Sequence, residues 1–131
     1  MRALIVDDSS SMRAILRRTM QQRGFEVIEA KNGLEVLTTL PQSCPVDFIL
    51  IDWNMPLMNG FELLQRIRGE DKYAGTKIVM VTTETNKAEM THALASGAGE
   101  YIMKPFTASV LHDKLRLIGL SEPSLEEVKC C

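Results

Sequence analysis

Cysteine is scarce in this chain: there are three in 131 residues, Cys44 and the adjacent pair Cys130-Cys131. They are too few and too badly spaced for a disulfide framework, so folding is left to a hydrophobic core. The terminal pair is no C-a-a-X box either, because Val128 holds the fourth position from the end. Neither sign of charge dominates, with 15 Lys+Arg against 17 Asp+Glu and a net charge of −2. That excludes a polyanion binder relying on surplus cations. Aromatic residues amount to 5%, and none interleaves Arg13, Arg17 and Arg18, which read as a solvated helix face and not a base-stacking surface. No apolar run approaches the ~20 residues of a bilayer span. Ala3-Leu4-Ile5-Val6 is shorter than the ~7–15-residue apolar region of a signal peptide. Walker-type and dinucleotide glycine patterns are missing, since Gly97-Ala98-Gly99 precedes a strand and opens no helix. These absences lead us to expect a cytoplasmic protein with no nucleic-acid partner and no membrane insertion.

At 45% hydrophobic and 24% charged, what is present is the composition of one globular domain. A chain of this length buries roughly two-thirds of its unfolded surface. Short apolar runs recur at Ala3–Val6, Asp47–Ile51, Lys77–Val81 and Tyr101–Met103. Lacking polar alternation, they suit strands of a parallel sheet covered on both faces. Phe25–Ala30 alternates more, as a strand near an edge does. Segments of helical spacing lie between the runs. Met12, Ile15, Leu16, Thr19 and Met20 form one face, with N-caps offered by Ser9 to Ser11. Leu34–Leu40, Phe61–Arg68, Lys87–Ser96 and Thr107–Ile118 complete five helices, with Pro41 and Gly97 as stops. The eight methionines read mostly as core filler. Strand then helix, five times over, predicts an α/β fold: a doubly wound parallel sheet with right-handed crossovers and helices on both faces. Residues 120–131, with Pro123 and three glutamates, read as a flexible tail.

Open sheets of this kind bind ligands beyond the carboxyl ends of their strands. At those ends stand Asp7-Asp8, then Asp52 followed by Trp53-Asn54-Met55-Pro56, then Thr82-Thr83-Glu84, then Lys104-Pro105. Three carboxylates, a hydroxyl and an ammonium thus meet on one rim. Each close pair of like charges costs ~1–4 kcal/mol, depending on the effective dielectric. Lys104 offsets one charge, and the remaining pocket of hard oxygens suits Mg²⁺. A carboxylate there can act as a nucleophile and carry a phosphoryl group, a transfer that needs mainly positioning and charge neutralisation. Singly, each residue has a plainer role open to it: a turn or cap for Asp7-Asp8 and Asp52, a strand position for Thr82, a solvated loop cation for Lys104. The signal is the joint set, with Asp8, Asp52, Thr82 and Lys104 at successive intervals of 44, 30 and 22 residues. His92 and His112 stand singly, without metal-ligand spacing, and receive no chemistry.

In Asp7-Asp8, Asp52, Thr82 and Lys104-Pro105, at those intervals, the chain resembles two-component response-regulator receiver domains. The resemblance covers residues 1–119, the expected receiver domain. The stretches Asp52-Trp53-Asn54-Met55-Pro56, Val81-Thr82 and Lys104-Pro105-Phe106, with Tyr101 before the lysine, are most similar to single-domain chemotaxis regulators. It implies five strands in the order 2-1-3-4-5, a flavodoxin-like (CheY-like) fold. It further implies that Asp52 accepts a phosphoryl group from a histidine kinase. Mg²⁺ would be held by Asp8, Asp52 and the main-chain carbonyl of Asn54, with Asp7 acting mainly through water. Lys104 would pair with the phosphoryl oxygens, Thr82 would hydrogen-bond to one of them, and Lys104-Pro105 would be cis. Tyr101 would change rotamer with the state of Thr82, although its residue type alone equally suits a half-buried strand aromatic. Asn54 and Glu84 would tune the phosphoryl lifetime, and Thr83 departs from the small residue usual at its position.

The function expected is a phosphorylation-driven switch, a stand-alone monomer acting through a downstream protein. Its target face would combine the helix at Lys87–Ser96, the strand at Tyr101–Met103 and the helix at Thr107–Ile118. Lys87, Met90, Leu94, Tyr101, Met103 and Lys114 would present apolar contacts with flanking lysines to an amphipathic, acid-flanked helix. The i, i+4 spacing of Met90 and Leu94 equally allows a core position. Two other readings stand beside this one: a phosphorelay intermediate, and a Mg²⁺-dependent aspartate-nucleophile phosphatase. The phosphatase lacks its acid–base Asp, because Asn54 stands there.

Overall fold

The computed structural model of the chain describes residues 2–39, 46–53, 55, 57–70, 73, 75–82, 87–103 and 107–117. Among them five strands alternate with five helices: β1 (Arg2–Val6), α1 (Ser10–Gln22), β2 (Glu26–Ala30), α2 (Gly33–Thr39), β3 (Phe48–Asp52), α3 (Gly60–Arg68), β4 (Lys77–Thr82), α4 (Lys87–Ala95), β5 (Glu100–Met103) and α5 (Ala108–Leu117). The strands form one parallel sheet ordered β2-β1-β3-β4-β5, the doubly wound topology expected.

Alternate residues of each inner strand feed two separate cores. Ala3 and Ile5 of β1, Phe48 and Leu50 of β3, and Val79 and Val81 of β4 pack with Leu16 and Met20 of α1 and Leu111 of α5. Leu4 and Val6, Ile49 and Ile51, and Ile78 and Met80 point the other way, onto Val36 of α2, Leu63, Leu64 and Ile67 of α3, and Ala93 of α4. Burial on both faces is why these strands read as continuous apolar runs. β2, with one neighbour, is only part-buried along most of its length.

The helix ends follow local chemistry. Ser9 caps α1, its side chain accepting from the Met12 N–H. Asn59 and Glu62 form a reciprocal capping box that starts α3. α4 stops where the Ala98 N–H returns to the Ala93 carbonyl and the Gly97 N–H to Leu94, a Schellman arrangement that needs the positive φ of 119° at Gly97. Two expectations need correction. Ile15 is 56% exposed, because the buried stripe of α1 runs through Leu16, Thr19 and Met20 and leaves Ile15 at its margin. Met90 is buried and Leu94 exposed, so Met90 belongs to the core side of α4 and not to an outer face. Leu40, Pro41, the boundary at residue 119 and the tail at 120–131 lie outside the described residues.

Candidate functional site

Parallel register brings the carboxyl ends of the central strands level. Val6 pairs with Ile51, Asp52 with Val81, and Thr82 with Met103. Asp7, one residue beyond β1, therefore lies beside Asp52, the last residue of β3. One carboxylate oxygen from each of Asp7, Asp8 and Asp52 falls within 4.8 Å of the others. Asp7 and Asp52 are buried, at 1% and 5% exposure, whereas Asp8 is exposed. The main chain fixes Asp7: its N–H donates to the Ala30 carbonyl, and its Oδ1 accepts from the Ser9 N–H at 2.9 Å. Its carbonyl accepts from Arg13 Nη1 at 2.7 Å. Arg13 and Arg17 both also pair with Glu29 of β2, which gives these arginines structural partners.

Three carboxylates this close are a hard-oxygen donor set with net negative charge, and it fits a small divalent cation of the Mg²⁺ type. Thr82, fully buried, ends the neighbouring strand β4. The chain leaves β3 through Trp53, whose N–H donates to the Val81 carbonyl, and returns where the Gly60 N–H donates to the Trp53 carbonyl, both at 2.8 Å. Between them Leu57 is 77% exposed and has a φ of 71°, a left-handed conformation costly for a branched side chain. Trp53 stacks on Phe61 at 5.8 Å, and Phe61 meets His92 of α4 at 4.8 Å. These three rings and Asn59 line an open cleft of about 210 Å³.

Tyr101 of β5 pairs in register with Met80, two residues before Thr82. Tyr101 and Thr82 are therefore diagonal neighbours on one face of the sheet. Tyr101 is half-buried against the core shared with α3 and α4. Lys114 of α5 stands 5.2 Å from its ring centroid. Leu94 of α4, Met103 of β5 and Val110 of α5 are exposed. Of the expected site residues, the structure thus brings together Asp7, Asp8, Asp52 and Thr82, with Tyr101 one step away. Asn54, Thr83, Glu84 and Lys104-Pro105-Phe106 lie outside the described residues, as does the side chain of Lys87. Sequence reasoning missed the Phe61–His92 contact and the Glu100–Lys114 pair. The Asn59-x-x-Glu62 spacing could have revealed where α3 begins.

Residues 3–116 match the family model described as response regulator receiver domain. The chain is 47% identical over 116 residues to a chemotaxis protein CheY homolog of Campylobacter jejuni, covering 88% of this chain and 89% of that one. It is 42% identical over 119 residues to chemotaxis protein CheY1 of Helicobacter pylori, covering 90% and 96%. Among solved structures, the chemotaxis response regulator CheY4 of Vibrio cholerae superposes with a TM-score of 0.82 at 37% identity, covering 89% of this chain and 97% of that one.

Proposed function

The chain belongs to the response regulator receiver domain family, and on that premise we propose that it is a signalling switch in which Asp52 carries a phosphoryl group donated by a histidine kinase. The observation that carries this reading is the convergence of Asp7, Asp8 and Asp52 oxygens within 4.8 Å. An Asp52 oxygen bonds to the phosphorus of a phosphohistidine as the P–N bond breaks, and the released imidazole takes up a proton. Hydrolysis later returns the carboxylate and inorganic phosphate. Asp7, Asp8, Asp52 and the Asn54 carbonyl would hold Mg²⁺, which when bound neutralises charge on the phosphoryl oxygens. Lys104 supplies a second cation there. The Thr82 hydroxyl donates to a phosphoryl oxygen, and Tyr101 follows it.

The α4–β5–α5 face then takes a downstream protein. The names of the relatives favour a chemotaxis pathway, with the protein working as a cytoplasmic monomer. Asn54 and Glu84 orient the hydrolytic water, and Thr83 narrows its path, so Thr83→Ala should shorten the phosphoryl lifetime.

The test is incubation with acetyl phosphate and Mg²⁺. One phosphoryl group, seen as a single mass increment, is expected in the wild type and none in Asp52→Asn. Labelling of Asp52→Asn at the wild-type rate would overturn the assignment.

A further inference from the structure

β5 is an edge strand, and an edge leaves main-chain N–H groups without a strand to pair with. The Tyr101 N–H is satisfied by a neighbouring side chain, donating to Glu100 Oε1 at 3.0 Å. That same Oε1 lies 3.5 Å from Lys114 Nζ on α5. Lys114 Nζ in turn stands over the Tyr101 ring, 5.2 Å from its centroid. One carboxylate oxygen therefore ties the backbone of Tyr101 to the cation that covers its ring. The Lys114 and Glu100 side chains are 30% and 19% exposed, against 69% and 65% for the solvated pair Arg116–Asp113. Screening by water is correspondingly weaker at the Glu100–Lys114 pair.

We propose that Glu100 and Lys114 form a clasp that holds Tyr101 in its half-exposed position and so opposes the switch. The proposal rests on the reading of Tyr101 as the residue that follows Thr82. Inward movement of the ring gives up the cation above it, while Glu100 keeps Lys114 from following. Glu100 is a positioning residue: it acts through Lys114 and touches neither phosphoryl group nor metal ligand. Because the conformation of Tyr101 and phosphorylation are thermodynamically linked, loosening the clasp makes Asp52 easier to phosphorylate. A partly exposed cation over a half-buried ring accounts for a two- to five-fold effect, by the strength of such contacts.

The experiment uses the full chain labelled with 3-fluorotyrosine, with Tyr73→Phe to assign the two resonances. Fluorine spectra are recorded with and without beryllofluoride and Mg²⁺, alongside phosphorylation rates with acetyl phosphate. Glu100→Gln and Lys114→Met are each expected to move the Tyr101 resonance toward its beryllofluoride position and to raise the rate about two- to five-fold. The double variant should add nothing, and Lys114→Arg, which keeps a cation over the ring, should behave as wild type. If beryllofluoride moves Tyr101 but Glu100→Gln and Lys114→Met do not, the clasp is refuted and the switch stands. If a resonance of bound beryllofluoride appears in the fluorine spectrum and Tyr101 stays still, the switch reading fails, and the clasp fails with it.

Discussion

A Cβ placed on Gly60 would lie 2.5 Å from the main-chain oxygen of Asp52 and 2.9 Å from both Trp53 Cα and Met80 Cε. The first turn of α3 is thus pressed against the backbone that presents the Asp52 carboxylate. Ala is ordinarily preferred to Gly in a helix by up to ~1 kcal/mol. Met80 Cε is a side-chain tip that can move, but the Asp52 oxygen and Trp53 Cα are backbone with little room to give, and overpacking costs ~1–3 kcal/mol. The clash wins. Gly60→Ala should lower stability to urea by about 1–2 kcal/mol net and weaken the response of Trp53 emission to Mg²⁺. A variant as stable as wild type would show that the contact relaxes freely.

The acidic cluster should destabilise the protein when no cation is bound. Asp8 is the exposed member, so removing its charge relieves repulsion without stripping a buried group of its hydrogen bonds. In chelator, Asp8→Asn should melt a few degrees above wild type, since the pair energy at high effective dielectric is ~1 kcal/mol. Adding Mg²⁺ should raise the wild-type melting temperature by mass action and raise that of Asp8→Asn much less. A melting temperature for Asp8→Asn at or below wild type in chelator would show that the three carboxylates do not strain the metal-free fold.

Trp53 reports on the site because it follows Asp52 directly and is the sole tryptophan. Millimolar Mg²⁺ should change its emission in the wild type and leave it unchanged in the double variant Asp8→Asn/Asp52→Asn. Phe61→Leu should alter the baseline spectrum by removing the stacked partner, while the Mg²⁺ response persists. An unchanged wild-type spectrum on adding Mg²⁺ would separate the ring from the metal site.

Much of this was legible because strands buried on both faces must be apolar throughout. Asp7 and Asp52 stand out as charges that end such runs, so the candidate site could be read from the strand ends alone. α4 was harder. Several of its residues are alanines and small polar residues, and the i, i+4 spacing of Met90 and Leu94 left open whether that pair faces the core or the outside; the fold splits it, burying Met90 and exposing Leu94. The Glu100–Lys114 contact joins an edge strand to a helix, and no local pattern encodes such a pair. The lifetime roles expected of Asn54, Thr83 and Glu84 rest on motif resemblance alone, whereas Lys104 was also marked by its place just after β5.

Arg68 has no signature in the sequence either, since its partners are three carbonyls brought together only by the fold. Its Nε donates to Gly97 at 3.0 Å, Nη1 to Tyr73 at 2.9 Å and Nη2 to Thr76 at 2.7 Å. It thereby ties the end of α3 to the turn before β4 and to the turn after α4. Partial burial lowers the guanidinium pKa from the ordinary arginine value. The flat fork of donors is what lets one side chain reach three acceptors, and an ammonium has no such geometry. Arg68→Met keeps the apolar stem and strips the donors, and an acceptor left unsatisfied costs ~1–3 kcal/mol. Water will reach some of the three, so a net loss of about 2–4 kcal/mol in urea denaturation is expected. Arg68→Lys should recover less than half of it. Amide exchange should quicken first at Thr76 to Ile78 and at Gly97 to Gly99, ahead of β1 and β3. Uniform quickening across the sheet, or full rescue by lysine, would mean that Arg68 contributes bulk and charge and is not a three-way fastening.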